Sequence, residues 1–543
     1  MNPRALGGHY WRQNLELNPL LATQVGEEAF DDRLPDLSMG GIERRRDIQS
    51  TALSEAATAR QSAIDVWDRA ICDTIEAITR PDVASIESGL HWLAPIDHLW
   101  GPGTLLEQIA ELQRADTEER LNRYLRRLAA TERYLDQAGQ LLDSAPKHLT
   151  APRLIVDRCI RQAEGIVATP PEESIALHPI PSTNVNGRER AADVLRTTTL
   201  PAYTRYLEAL KRYRPRARES LGLHAMRAGE QMYSVTILKW TSLPLEARDI
   251  HRIGQDQLRA VQAERMVLAT KIGAQGPGSA VNSYPANPHN QFKSRQEIVE
   301  LAEDQVRRGW ERSRRYFGRL PRRNCEVRPV EPSRENDVLE YYFPGTADGT
   351  RPGIYYVNTA RPEQRPRHSL ASTTFHETNP GHHLQIALQQ EQPDRPTLLR
   401  YGGELAGTGL IEGWALYAER LADEMGLFLD DYERLGMLEG QALRAARLVV
   451  DTGLHALGWT RERAIEVMKS TGLEASHAEL ETDRYIAMPG QALAYKIGQL
   501  EIEAARRRME QSQGHAFALR GFHDRVLSLG SVPLETFRRE LSG

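Results

Sequence analysis

The chain has 543 residues and carries 69 Lys and Arg against 74 Asp and Glu, a net charge of −5. This near balance excludes a dedicated nucleic-acid binder, which needs a basic excess. Hydrophobic residues at 40% and charged residues at 26% exclude a disordered chain, and no apolar run approaches the ~18 residues of a membrane span.

The first 45 residues read as mixed, with a turn-rich stretch Asp31-Asp32-Arg33-Leu34-Pro35-Asp36. They contain no continuous apolar segment of the kind an export signal needs. From about 46 to 220 the apolar residues recur at helical spacing, most clearly over 121–142. Prolines 146, 152, 170, 171, 179 and 181 punctuate this part. A further helix is predicted over 244–272, then a Gly-, Pro- and Asn-rich surface loop over 273–290. Ser294 and Glu297 form a capping-box signature for the next helix, expected to end near Leu320-Pro321.

Between 323 and 360 the composition shifts to Val, Ile and Tyr. The segments 325–332, 338–345 and 353–360 predict a small antiparallel sheet of two or three strands, with a turn at Thr346-Ala347-Asp348-Gly349. From 369 onward the pattern is helical again, broken near 379–381, 402–407, 472–476 and 489–490. Arg44-Arg45-Arg46 and Arg506-Arg507-Arg508 read as solvated helix faces. The three cysteines, Cys72, Cys159 and Cys325, form no CxxC pair, which argues against a Cys-based metal site and for a reducing compartment. The expected setting is cytoplasmic, with no nucleic-acid or membrane partner.

Four of the 16 histidines, His368, His376, His382 and His383, lie within 16 residues. The segment around them starts as an HExxH motif would, His376-Glu377-Thr378-Asn379, but continues Pro380-Gly381-His382-His383. Residues i and i+4 of a helix are separated by about 40° and about 6 Å, so two imidazoles reach one zinc ion. Positions i and i+6 are separated by about 240° and about 9 Å and do not. The segment must therefore leave the regular helix. Pro380 blocks continuation and Gly381 permits an unusual backbone. A two-residue bulge at Asn379-Pro380 would bring His382 to the place of the second ligand, leaving His383 as a neighbour.

Glu377 follows the first histidine, where a general base belongs. Glu412, 30 residues after His382, completes a His, His, Glu set that leaves a coordination position for water. Zn²⁺ is the expected cofactor, since such a set favours it over Mg or Ca. Glu419, two turns further on, is either an outer partner that orients an imidazole or a surface residue paired with Arg420.

The chain resembles the family called domain of unknown function 885, which we associate with helical, gluzincin-type, peptidase-like proteins. The resemblance rests on Pro19–Gly26, Asp32–Asp36, Asp348–Gly353 with Tyr356–Thr359, His376-Glu377 with Pro380–Gln385, Glu412–Tyr417, Arg444–His455, and Arg484-Tyr485 with Pro489–Lys496. It implies a mainly α, large helical metallopeptidase-like fold with the small sheet next to the metal-binding helix. A helical part, 1–320, and a catalytic part, 321–543, would form one integrated unit around a central cleft. It also supports His382, because helical oligopeptidases place Gly before the second histidine. Thr378 and Asn379 are more polar than that pattern, which bears on substrate preference.

These residues predict a zinc-dependent hydrolase of a peptide or amide bond. In this scheme Glu377 moves the proton of an activated water. Tyr485 is the first candidate for the oxyanion donor and Tyr495 the second. Arg484-Tyr485 looks like an Arg-Tyr pair on a late helix of helical dipeptidases. Arg484 either binds a substrate carboxylate or pairs with Glu481 or Asp483. The strand with Tyr355 and Asn358 is expected to bind extended substrate at its edge. His455 and Asp451 are expected to touch on one helix face, and His477 to lie in a loop. The alternatives are hydrolysis of a small-molecule amide intermediate and a noncatalytic metal-bound scaffold.

Overall fold

In the computed structural model, the described residues are 2–274, 276, 291–331, 335, 340–346 and 351–541. The loop predicted over 273–290 falls mostly outside them, as do residues 347–349 of the predicted turn. The principal helices, labelled in chain order, begin with α1 Pro3–Leu17, α2 Met39–Ala59, α3 Val66–Glu87, α4 Glu118–Ser144 and α5 Arg153–Ala168. They continue with α6 Leu200–Tyr213, α7 Gly229–Thr241, α8 Ala247–Lys271 and α9 Arg295–Tyr316. After the sheet come α10 Arg367–Glu377, α11 His382–Gln390, α12 Thr408–Glu424, α13 Asp431–His455, α14 Ala475–Ala487 and α15 Leu493–Gln513.

Local chemistry sets these boundaries. Thr117 caps α4 by accepting from the Arg120 N–H, and Leu121, Tyr124, Leu128, Leu135 and Leu142 turn one buried stripe inward. Ser294 caps α9 by accepting from the Glu297 N–H, and Glu297 accepts the Lys293 N–H in return. That helix ends at Tyr316, earlier than expected. The first 45 residues, read as mixed, contain α1 and a short helix Pro19–Gln24. Pro3 and Pro19 each sit at a helix start, where a missing N–H costs nothing.

The sheet has three strands, β1 Glu326–Pro329, β2 Tyr341–Phe343 and β3 Ile354–Val357, in the order β1-β3-β2. It is mixed, which corrects the antiparallel expectation: β2 pairs antiparallel with β3, but β1 pairs parallel to it. β3 is therefore central, and its Tyr355 and Val357 pack with Ile298, Ala302 and Val306 of α9 and Leu370 of α10.

Two larger cores hold the helices. One gathers residues from Leu6 to Leu541, including Phe375, Leu384, Trp414 and Leu421. The other joins α4, α5 and α6 to Ala446, Val450, Leu454 and Tyr485. α12 lies along α15 at glycine contacts: a Cβ on Gly413 would come 2.3 Å from the Gly498 backbone. That close approach fixes the height of Glu412, the residue before Gly413. Among the described residues, no helix is long and apolar enough to cross a membrane.

Candidate metal centre

Helix α10 ends at Glu377 and α11 begins at His382. Between them the chain turns back, with the Asn379–Pro380 peptide cis. Three contacts hold this detour. Trp414 of α12 donates its indole N–H to the Pro380 carbonyl at 3.0 Å. Asn379 donates to Asn324 at 2.9 Å, and the Thr378 hydroxyl to the Thr374 carbonyl at 2.6 Å. Thr378 and Asn379, more polar than the helical pattern, are both fully buried and used in this scaffold. Gly381 lies so close under the end of α10 that a Cβ would come 1.9 Å from the His376 carbonyl oxygen. The requirement for glycine is thus one of space.

The detour brings His382 back beside His376. Their rings meet edge to face, with centroids 4.8 Å apart. Nε2 of each lies 3.7 Å from the same oxygen, Oε2 of Glu412. This is too far for a hydrogen bond but close to the spacing of donors about 2 Å from a shared ion. Glu377 offers an oxygen within 4.8 Å of ligand nitrogens of both histidines. One of its oxygens already accepts the backbone N–H of Tyr342, on β2, at 3.0 Å. Glu412, facing both Nε2 atoms, and Glu377, beside both imidazoles, are thus both placed where a bound ion could reach them. The donors are largely withdrawn from solvent: the side chains of His376, His382 and Glu412 are 5%, 11% and 20% exposed.

The outer contacts fix His376. Its Nδ1 lies 2.8 Å from Oε1 of the buried Glu419, so Nδ1–H donates there and Nε2 turns to the site. Glu419 also accepts from Gln441 of α13 at 3.3 Å, and Gln441 accepts from the buried Lys496 of α15 at 3.0 Å. Burial pushes the Lys496 ammonium down to about 8. The electrostatics are those of a site short of positive charge. Burial disfavours a charged His376, yet Glu412, Glu419 and Glu377 outweigh it and raise its pKa to about 10. Burial acts to raise Glu412, but the two imidazoles hold it well below the usual carboxylate range. Burial raises Glu377. Two imidazoles and three carboxylates in one buried volume suit a dication.

His383 is engaged elsewhere. Its Nε2 lies 3.0 Å from the Arg323 carbonyl and its Nδ1 3.0 Å from the Tyr342 hydroxyl, so neither nitrogen is available as a ligand. Burial pushes its pKa down to about 4. His368 lies 2.8 Å from Glu439, tying α10 to α13. The expected His455–Asp451 contact is replaced by separate partners. Nδ1 of His455 accepts the Leu223 N–H and Nε2 donates to the Tyr485 carbonyl. Asp451 accepts the Tyr233 hydroxyl and the Gly490 N–H. His477, expected in a loop, is exposed in the first turn of α14.

Tyr485, Tyr495 and Arg484 form one cluster with Glu481, Gln491 and Arg447. Tyr485 donates its hydroxyl to Glu481 and accepts from Arg447 at 2.9 Å. Arg484 reaches Glu481 at 3.4 Å, Gln491 at 2.7 Å and the Tyr495 hydroxyl at 3.4 Å. Asp483 is bound instead by Arg158 and Arg461. The substrate edge assigned to Tyr355 and Asn358 needs correction. Their strand is central and paired on both sides, Tyr355 is fully buried, and Asn358 donates to the Glu335 carbonyl. Tyr342 faces Glu377 from β2 instead. Sequence reasoning gave no role to Tyr342, Gln441 or Arg447; a backbone donor has no residue signature, and the other two lie within one regular helix, Arg447 inside the Arg444–His455 stretch.

The fold and donor set define a mainly helical protein with a candidate metal centre built on a broken helix. The chain belongs to the family described as "Bacterial protein of unknown function (DUF885)", whose model matches residues 19–541. Among solved structures it is similar to one described as a "putative lipoprotein" from Colwellia psychrerythraea, with TM-score 0.89, 24% identity, and 100% and 99% of the two chains covered. It is also similar to a "putative lipoprotein of unknown function" from Shewanella oneidensis, with TM-score 0.78, 17% identity, and 99% of each chain covered. At these identities the likeness establishes the fold alone. A search of curated proteins found no match.

Proposed function

We propose that this protein is a zinc-dependent hydrolase of peptide or small amide bonds. His376, His382 and Glu412 would hold the ion. When bound, zinc supplies Lewis acidity and brings the pKa of water near 7. The observation that carries the reading is the position of Glu377. It lies beside both imidazoles, and a backbone N–H holds one of its oxygens. A metal-storing scaffold has no need of this extra carboxylate.

The chain's own groups then divide the work. Glu377 accepts the proton of the attacking water and delivers it to the leaving nitrogen. Glu419 keeps His376 in one tautomer and orientation. Of the two tyrosines, Tyr495 is the better oxyanion donor, because the Tyr485 proton is committed to Glu481. An extended substrate would add along the outer edge of β2, whose Tyr342 N–H points at Glu377 rather than at β3. A cytoplasmic setting belongs to the same proposal, supported by three buried, unpaired cysteines.

The test is Glu377→Gln. The variant should bind zinc as the native protein does and lose at least 100-fold in turnover of a peptide pool. Full activity in the variant would refute the mechanism.

A further inference from the structure

Two guanidinium groups, one on α13 and one on α14, share a single carboxylate. Arg447 of α13 donates from Nη2 to Glu481 at 2.8 Å and from Nε to the Tyr485 hydroxyl. Its guanidinium lies over the Tyr495 ring, 4.6 Å from the centroid. Nη1 is buried with no hydrogen-bond partner, in a side chain only 7% exposed. Arg484 of α14 approaches the other oxygen of Glu481, and 26% of its side chain is exposed. A purely structural pair would be neutral. Here two cations meet one anion, and one donor nitrogen remains open. An unused, buried guanidinium N–H costs free energy unless something binds it.

The helix register leads along α13 from the contacts of the metal centre toward this cluster. Gly436 and Gly440 of α13 pack against His368 and Ser372 of α10, so the two helices run side by side in constant step. One more turn brings Arg444 level with His376, and Arg444 lies 4.0 Å from the Glu419 oxygen that holds His376. Arg447 is three residues further along α13, about 4.5 Å along its axis. From the opposite side, Tyr495 lies one turn before Gly498, which touches Gly413 next to Glu412.

We propose that Arg447 and Arg484 form a subsite for a substrate carboxylate, and that the protein selects substrates carrying a carboxylate close to the bond it cleaves. The C-terminus of a short peptide presents that group most directly. Arginine suits the task because its planar fork binds carboxylate through two parallel N–H donors. Glu481 holds the two arginines in place when the subsite is empty. The inference rests on the hydrolase reading for the word "cleaves", but the binding site can be tested without it.

Two libraries of acetylated random hexapeptides, one of C-terminal acids and one of C-terminal amides, are incubated with zinc-loaded protein and read by mass spectrometry. Acids should be consumed at least tenfold faster, and Arg484→Gln should collapse that preference to within twofold. Selective loss of amides that contain Asp or Glu would support the subsite and assign the carboxylate to a side chain. In parallel, zinc-loaded Glu377→Gln is titrated with acetyl-trialanine as acid and as amide. The acid should bind at least tenfold more tightly, weaken with Arg484→Gln or Arg447→Lys, and tighten with Glu481→Gln, a sign opposite to that of a structural ion pair. If no peptide is cleaved but the acid binds in this arginine-dependent way, the hydrolase reading fails and the subsite stands. Equal consumption and equal binding of acids and amides, unaffected by Arg484→Gln, would overturn the subsite.

Discussion

Glu419 lies 2.8 Å from the imidazole Nδ1 of His376, and both residues are buried. The carboxylate is two helical turns after Glu412, so α12 supplies one candidate metal donor and the anchor of another. A carboxylate behind a ligating histidine fixes its tautomer and raises its basicity. Glu419→Gln should therefore lower zinc affinity by about 10–100-fold. Competition with a chromogenic chelator measures this directly, and an unchanged affinity would remove Glu419 from the metal site.

The two adjacent histidines should separate cleanly. His382→Ala should abolish stoichiometric zinc binding, read by elemental analysis of dialysed protein. His383→Ala should keep the metal and lose stability by about 1–3 kcal/mol, because it removes the buried hydrogen bonds to the Arg323 carbonyl and the Tyr342 hydroxyl. Retained zinc in the first variant, or lost zinc in the second, would reverse the ligand assignment.

Gly381→Ala tests the detour itself. The added methyl would meet the carbonyl oxygens of His376 and Phe375, both backbone atoms that cannot swing aside. The chain must move, and His382 with it. We expect a loss of about 1–3 kcal/mol in urea unfolding together with weakened zinc binding.

Acid should destabilise the metal-free protein well above the carboxylate range. Burial pushes His455 down to about 3 and His523 down to about 4, whereas in the unfolded chain each titrates near 6.5. As pH falls the unfolded chain takes up these protons first. The contribution of both residues is complete above about pH 6.5 and is lost steadily as pH falls toward 4, at about 1.4 kcal/mol per unit and group. Asp451 runs the other way: burial raises it to about 7, so its contribution is greatest below about pH 4 and declines as pH rises through 7. Urea midpoints measured with chelator at pH 7 and pH 5 should show the net loss, and His523→Asn should shrink it.

Much of this was legible from residue order. The broken helix followed from Pro380 and Gly381, and the approach of a later helix's Glu412 to His376 and His382 from its spacing. The parallel pairing of β1 with β3 was not, because four-residue strands carry no sign of which neighbour they will join. Nor was the cluster of Arg447 with Glu481, 34 residues apart on two helices, since the register between packed helices depends on distant contacts such as Gly436 against His368. The strand of Tyr355 was misread as an edge for the same reason: which strand is central is a property of the assembled sheet.

The bond from the Tyr342 N–H to Glu377 has a practical corollary for mutagenesis. Because the donor is main chain, every side-chain replacement at 342 except proline retains it. An alanine scan of the sheet would pass over the contact that orients Glu377. Its removal needs Tyr342→Pro, an ester in place of that amide, or an insertion that slides β2 along β3. Such a lesion should impair proton transfer while every residue of the metal centre stays in place.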